Sequence, residues 1–134
     1  INDEEARQLS GEYSLTRAAK TILKMGPQYL IIKKGEHGAL LFDNNEVFYT
    51  PALPLDNVLD PTGAGDSFAG GFIGYLEKTK DITFENMKRA VVYGSVLASF
   101  CVESFGTKKL EKITQEQINS RLNKFVNLVR FDLV

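Results

Sequence analysis

Asp60-Pro61-Thr62-Gly63-Ala64-Gly65-Asp66 runs straight into a stretch of helical periodicity, Ser67 to Glu77, carried by Phe68, Phe72, Tyr75 and Leu76. A glycine-rich turn that opens a helix restricts the fold more than any other feature of this chain. The glycines at 63 and 65 are expected to take up positive φ and present consecutive backbone N–H groups, and the helix that follows adds the partial positive charge of its N-terminus. Such a loop is an anion cradle. Asp66 falls in the first helical turn, where the dipole stabilises a carboxylate and where it also stands beside any anion the loop holds. A carboxylate so placed can accept the proton of an alcohol attacking a γ-phosphate, while the loop amides stabilise the equatorial oxygens of the transferring group. The plainer reading is a tight turn with Asp66 complementing the helix dipole.

Other phosphate and nucleophile motifs fail on the residues present. A dinucleotide fingerprint needs a third glycine where Phe68 stands, and no Gly-Lys-Ser/Thr of a P-loop occurs. Gly65-Asp66-Ser67 resembles an esterase turn in outline, but the only histidine, His37, lies upstream, so Ser67 has no downstream base. No Cys/His set has zinc-ligand spacing. Gly70, Gly71 and Gly74 each cost a helix interior about 1 kcal/mol relative to alanine, which calls for close approach to another backbone or to a bound nucleotide.

The rest of the chain reads as α/β. Glu4 to about Leu9 forms a short helix, and Ser14 caps a second, Leu15 to Met25, ended by Gly26-Pro27. Tyr29-Leu30-Ile31-Ile32 is a short apolar run after a helix, expected as a strand buried on both faces of a parallel sheet. A Gly35-Glu36-His37-Gly38 turn leads to Ala39-Leu40-Leu41-Phe42, a polar turn at Asp43-Asn44-Asn45, and Glu46-Val47-Phe48-Tyr49-Thr50, an antiparallel hairpin. Pro51-Ala52-Leu53-Pro54 is a connection, and Val58-Leu59 a short extended piece entering the glycine turn. Phe84 to Val102 is a long helix with a broad apolar face, and Thr114 with Gln117 marks a capping box for a last helix reaching about Leu128.

Length and charge narrow the partners. At 134 residues the chain is one ordinary domain, with 16 basic residues against 17 acidic and no long run of either sign, so neither a nucleic-acid nor a membrane footprint is present. Small molecules are the expected partners. The single cysteine, Cys101, sits in an apolar run and fits a reducing, cytoplasmic compartment. Without an initiating Met and with Ile1 reading as the end of a strand, the chain is expected to continue a longer polypeptide.

The segment Asp60-Pro61-Thr62-Gly63-Ala64-Gly65-Asp66-Ser67-Phe68-Ala69-Gly70-Gly71-Phe72 resembles the C-terminal signature of the ribokinase-like (PfkB) carbohydrate kinases, which transfer the γ-phosphate of ATP to an alcohol of a sugar or nucleoside. The resemblance extends over essentially the whole chain. Asn2-Asp3-Glu4-Glu5 is similar to the family's Asn-x-x-Glu segment near magnesium and phosphates, and Lys34-Gly35-Glu36-His37-Gly38 to its Gly-x-x-Gly nucleotide turn. It implies a three-layer α/β fold, a parallel sheet with an antiparallel hairpin and helices on both faces. Residues 1–134 would form the C-terminal nucleotide-binding and catalytic part, with the N-terminal half absent.

Residue by residue, the resemblance makes Asp66 the catalytic base and the amides of Gly63, Ala64 and Gly65 the anion hole. Asn2 and Glu5 would organise Mg2+, largely through water, and Gly35 and Gly38 would shape the nucleotide turn. Asp60 and Thr62 resemble the positions that hold a monovalent cation such as K+ in many members, with further carbonyls expected from Cys101 to Gly106. Lys33 stands where the family often has threonine; it is either a point charge for a phosphate or a solvated strand-end lysine. The implied partners are ATP, a sugar or nucleoside, and the N-terminal half, with a homo-oligomer left open. Alone, the chain is expected to have little kinase activity and to expose apolar surface or a sheet edge. A non-catalytic nucleotide- or phosphate-binding module is the competing reading.

Overall fold

The structure, a computed structural model, describes residues 1–105 and 108–134. The chain forms two compact units, Ile1–Ala52 and Leu53–Val134.

The first unit contains α1 (Asp3–Ser10), α2 (Leu15–Leu23), and strands β1 (Leu30–Lys33), β2 (Ala39–Phe42) and β3 (Val47–Thr50). α1 starts at a capping box: the Asn2 side chain accepts from the Glu5 amide at 2.7 Å, and the Glu5 carboxylate accepts from the Asn2 amide at 2.8 Å. α2 starts at Ser14, whose side chain accepts from the Arg17 amide, and stops at Leu23, two residues before the expected end. Ala18, Ala19, Ile22 and Leu23 of α2 join Ala6 of α1 against Leu30 and Ile32 of β1 and Phe42 of β2. Period-two alternation places Leu30 and Ile32 on one face of β1 and leaves Ile31 half-buried on the other.

The three strands are ordered β1-β2-β3 and both pairings are antiparallel. The expected parallel sheet is represented among the described residues by a single parallel bridge, Asn2 to Lys33, with the Lys33 amide donating to the Ile1 carbonyl at 2.9 Å. The reason is local: the chain leaves β1 through a tight 3-10 turn, Gly35–His37, and a turn that short can join only antiparallel neighbours. The β2–β3 hairpin occurs where the alternating pattern places it, and Val47 and Tyr49 expose one face of its outer strand.

The second unit consists of α3 (Ala64–Thr79), α4 (Phe84–Val102) and α5 (Gln115–Val129), with a 3-10 turn at Leu110–Lys112. Thr83 and Thr114 cap α4 and α5, and Gln117 completes the expected capping box. α3 and α4 cross closely. A Cβ on Gly71 would stand 3.0 Å from the Gly94 Cα, and one on Gly94 would stand 2.7 Å from the Phe68 carbonyl oxygen. The packing return expected for the α3 glycines therefore falls to Gly71 alone. Among the described residues, Cβ atoms at Gly70 and Gly74 would meet nothing within 4 Å. Val58-Leu59 forms no strand, because the amides of Leu59 and Asp60 are taken by the Val102 carbonyl at the end of α4, at 2.8 and 3.3 Å.

Candidate active site

The expected site residues fall into two groups, one in each unit. In the first, Asn2, Glu5 and Lys33 lie together at the parallel bridge, followed by the turn that contains Gly35 and Gly38. Gly38 has φ +86°, and a Cβ there would lie 2.1 Å from the Thr50 carbonyl oxygen, so the close passage of β3 admits only glycine. This structural demand exists whether or not a nucleotide binds. Asn2 and Glu5 are exposed, and each uses one side-chain oxygen in the capping box.

In the second unit the chain passes from the Val102 carbonyl into an Asx turn. The Asp60 carboxylate accepts from the Thr62 amide at 2.9 Å, and this bond, followed by one from the Thr62 hydroxyl, holds the Asp60 carboxyl below its ordinary value. The Thr62 carbonyl accepts a weak bond from the Cys101 thiol at 3.6 Å. Gly63, with φ +83°, is the N-cap of α3 and reverses the chain into the helix.

This geometry corrects the expected loop in two respects. Gly65 does not share the positive φ of Gly63, since α3 begins at Ala64 and Gly65 is already helical. Of the three amides assigned to the anion hole, that of Ala64 donates to the Pro61 carbonyl at 3.2 Å. Among the described residues the amides of Gly63, Gly65 and Asp66 have no acceptor, as the first amides of a helix lack intrahelical partners. The Asp66 amide was missed in the sequence, although the third helical position is where a free donor is expected. What results is a 16-residue helix with unpaired donors at its positive end.

Asp66 occupies that third position. Its side chain is exposed and accepts no hydrogen bond from the described residues, which leaves it open to a hydroxyl proton. Phe68, two residues on, is buried against α4 and fixes the rotation of the first turn. Phe100 is likewise buried, whereas Phe72 and Tyr75 are half-buried, with Tyr75 against Tyr93 at 5.3 Å between ring centroids.

The metal assignments fit unequally. Glu5 offers one exposed carboxylate, which suits a magnesium ion held mostly by water and phosphates. Asp60 and Thr62 provide an ionised carboxylate and a carbonyl, the hard oxygen donors a monovalent cation takes. Of the further carbonyls expected from Cys101 to Gly106, that of Val102 already accepts two amides, and Gly106 lies outside the described residues. No cluster of three or more His, Cys, Asp or Glu among the described residues could hold a metal by itself. No helix among them is long and apolar enough to cross a membrane.

Comparison with known proteins agrees with this arrangement. The signature of the pfkB family carbohydrate kinases matches residues 1–113. The cytidine kinase of Thermococcus kodakarensis is 39% identical over 77 residues, a match covering 55% of this chain and 27% of that protein. The ribokinase of Staphylococcus aureus is 30% identical over 123 residues, covering 85% of this chain and 39% of that protein. The crystal structure of aminoimidazole riboside kinase from Salmonella enterica, complexed with aminoimidazole riboside and an ATP analogue, superposes with a TM-score of 0.77 at 28% identity, covering 91% of this chain and 40% of the other. Ribokinase from Thermotoga maritima gives 0.75 at 29% identity, again over 91% and 40%. This chain thus spans well under half the length of these relatives. With the glycine turn, its following helix and the matched residues in agreement, the chain belongs to the pfkB family of carbohydrate kinases.

Proposed function

We propose that this chain carries the catalytic end of an ATP-dependent kinase acting on an alcohol group of a sugar or nucleoside, with Asp66 as the base. The observation that carries the reading is the exposed Asp66 carboxylate, free of partners among the described residues, beside the amides of Gly63, Gly65 and its own backbone, which are unpaired among them. As the acceptor hydroxyl attacks, its proton passes to the Asp66 carboxylate. The same amides, reinforced by the α3 dipole, stabilise negative charge on the equatorial oxygens. The Ala64 amide joins them on releasing the Pro61 carbonyl. Asp66 is close to the anion it serves but is itself anionic, so the positive end of α3 has a second use: it lowers the repulsion between the base and the phosphates.

In the other unit, Asn2 and Glu5 are the residues that would hold Mg2+ through water, and Gly35, Gly38 and Lys33 those that would meet the nucleotide. When bound, magnesium neutralises charge on the β- and γ-phosphates. Asp60 and Thr62 would hold a K+ ion. Most contacts to the acceptor come from the preceding half of the kinase domain, so this chain alone turns over little or no substrate. The buried thiol of Cys101 accords with a cytoplasmic setting.

Asp66→Asn in the full-length kinase tests the assignment in a coupled phosphorylation assay. The amide is nearly isosteric and cannot accept the proton, so kcat falls by about 10²–10⁴-fold while nucleotide affinity is retained. A variant that keeps its turnover removes Asp66 as the base, whereas a full-length protein that shows no turnover and whose nucleotide binding is unchanged by Asp66→Asn is a nucleotide-binding module.

A further inference from the structure

Three consecutive residues at the end of α4 each hold a different neighbour. The Cys101 thiol donates to the Thr62 carbonyl at 3.6 Å, the Val102 carbonyl accepts from the amides of Leu59 and Asp60, and the Glu103 carboxylate is held by Arg121 of α5. The first two contacts fix both sides of the Asx turn that enters the anion loop. The third ties the same helical turn to a helix the sequence analysis gave no functional part.

Arg121 is unusually committed for a charged residue on a terminal helix. Ile118 and Phe125, one turn to either side, bury against Val96 and Phe100 and aim the face between them at the end of α4. The guanidinium lies 3.8 Å over the Phe100 ring, and Nη1 donates to the Ser99 hydroxyl at 3.1 Å as well as to Glu103. The Ser99 hydroxyl in turn donates a hydrogen bond to the Val96 carbonyl at 2.5 Å. Lys109 adds a second cation to Glu103 at 3.2 Å. With only 13% of the Arg121 side chain exposed, this is not the loose surface pair that contributes almost nothing.

We infer that Arg121 is a positioning residue for the phosphate loop: through Glu103 it fixes the last turn of α4, whose Cys101 and Val102 hold the Leu59–Thr62 approach to Gly63 and Asp66. The inference rests on the proposed kinase reading for its catalytic meaning. Arg121 lies beyond residues 1–113, the stretch that the family signature matches.

Arg121→Met retains the aliphatic cover of Phe100 but donates nothing; Glu103→Gln keeps an acceptor without the charge; Arg121→Lys restores the charge without the planar fork. Two measurements are made on this chain at a temperature where every variant is fully folded. One is amide hydrogen exchange at Leu59 and Asp60. The other is the dissociation constant for the β,γ-imido analogue of ATP with Mg2+. The positioning role predicts faster exchange at both amides in Arg121→Met, with the exchange of buried α4 amides such as Val91 unchanged. It also predicts analogue binding weakened about 2- to 30-fold, partly recovered in Arg121→Lys and reproduced in Glu103→Gln. A lower melting temperature with unchanged exchange at Leu59 and Asp60 and unchanged affinity overturns it, since a purely structural residue behaves that way. Should the unaltered chain fail to bind the analogue, the kinase reading of the loop fails by itself, and the exchange rates alone decide the positioning role.

Discussion

The crossing of α3 and α4 allows the same substitution to be tried at two sites with opposite expected signs. At Gly94 a new Cβ would lie 2.7 Å from the Phe68 carbonyl oxygen and 3.3 Å from the Phe68 ring, against about 3.4 Å for ordinary contact. The obstacle is a backbone atom that no rotamer change can move, so the helices must part by roughly 0.7 Å at their closest point. Overpacking of this kind costs about 1–3 kcal/mol, and the rigid obstacle argues for about 3; the better helix propensity of alanine returns about 1, for a net loss of about 2 kcal/mol. At Gly74 a Cβ meets nothing within 4 Å, so only the propensity remains, a gain of about 1 kcal/mol. For a unit of about 80 residues each kcal/mol moves the melting midpoint by about 4–8 °C. Gly94→Ala therefore melts about 8–16 °C below the unaltered chain and Gly74→Ala about 4–8 °C above it, as followed by far-ultraviolet circular dichroism. Equal midpoints for the two variants, or a Gly94→Ala chain as stable as the original, would refute the close crossing. Because Phe68 sits two residues after Asp66, Gly94→Ala is also expected to disturb the loop, whereas Gly74→Ala leaves it unchanged.

Three further outcomes follow from polar and charged side chains. Burial alone would raise the Glu103 carboxyl, but its bonds to Arg121 and Lys109 outweigh that and hold it below the ordinary value of 4.5. The folded form therefore gains stability from Glu103 at pH above about 4.5 and loses it as pH falls through the lowered folded value, so thermal melts should decline more steeply with acidification in the unaltered chain than in Glu103→Gln. Asn2→Ala removes the acceptor for the Glu5 amide and should lower the stability of the first unit by about 1 kcal/mol in a denaturant titration. Glu5→Gln keeps the capping box within about 0.5 kcal/mol yet raises the Mg2+ concentration needed to bind the ATP analogue; an unchanged Mg2+ requirement removes Glu5 from the metal assignment.

Much of the fold was readable where one local signal decides an element. The sustained apolar face gave α4 its observed limits, and the Thr114–Gln117 pair gave α5 its start. The Asp43-Asn44-Asn45 turn fixed the hairpin. β1 keeps a parallel bridge, Asn2 to Lys33, on one edge and pairs antiparallel with β2 on the other; a run of four apolar residues reads alike in both settings, and the short turn after it decides the second pairing. Gly65 was assigned a left-handed conformation because its neighbour Gly63 needs one, when a single reversal suffices to enter a helix. Gly70 and Gly74 have no packing partner among the described residues that explains them. In the proposed site, Asp66 and the turn were visible because the chemistry proposed for them lies within seven consecutive residues. Arg121 was not, since its partners are 18 and 22 residues away. The available signal was its spacing from Ile118 and Phe125, which puts a guanidinium on the buried face of a helix.

The central claim is that the open N-terminus of α3 receives the transferring phosphate beside Asp66. A ¹⁵N–¹H titration of this chain with the β,γ-imido ATP analogue and Mg2+ addresses it amide by amide. Saturable shifts at Gly63, Gly65 and Asp66, with Gly74 on the same helix unmoved, are the predicted result. Binding that shifts residues of the first unit while leaving those three amides where they were would contradict it.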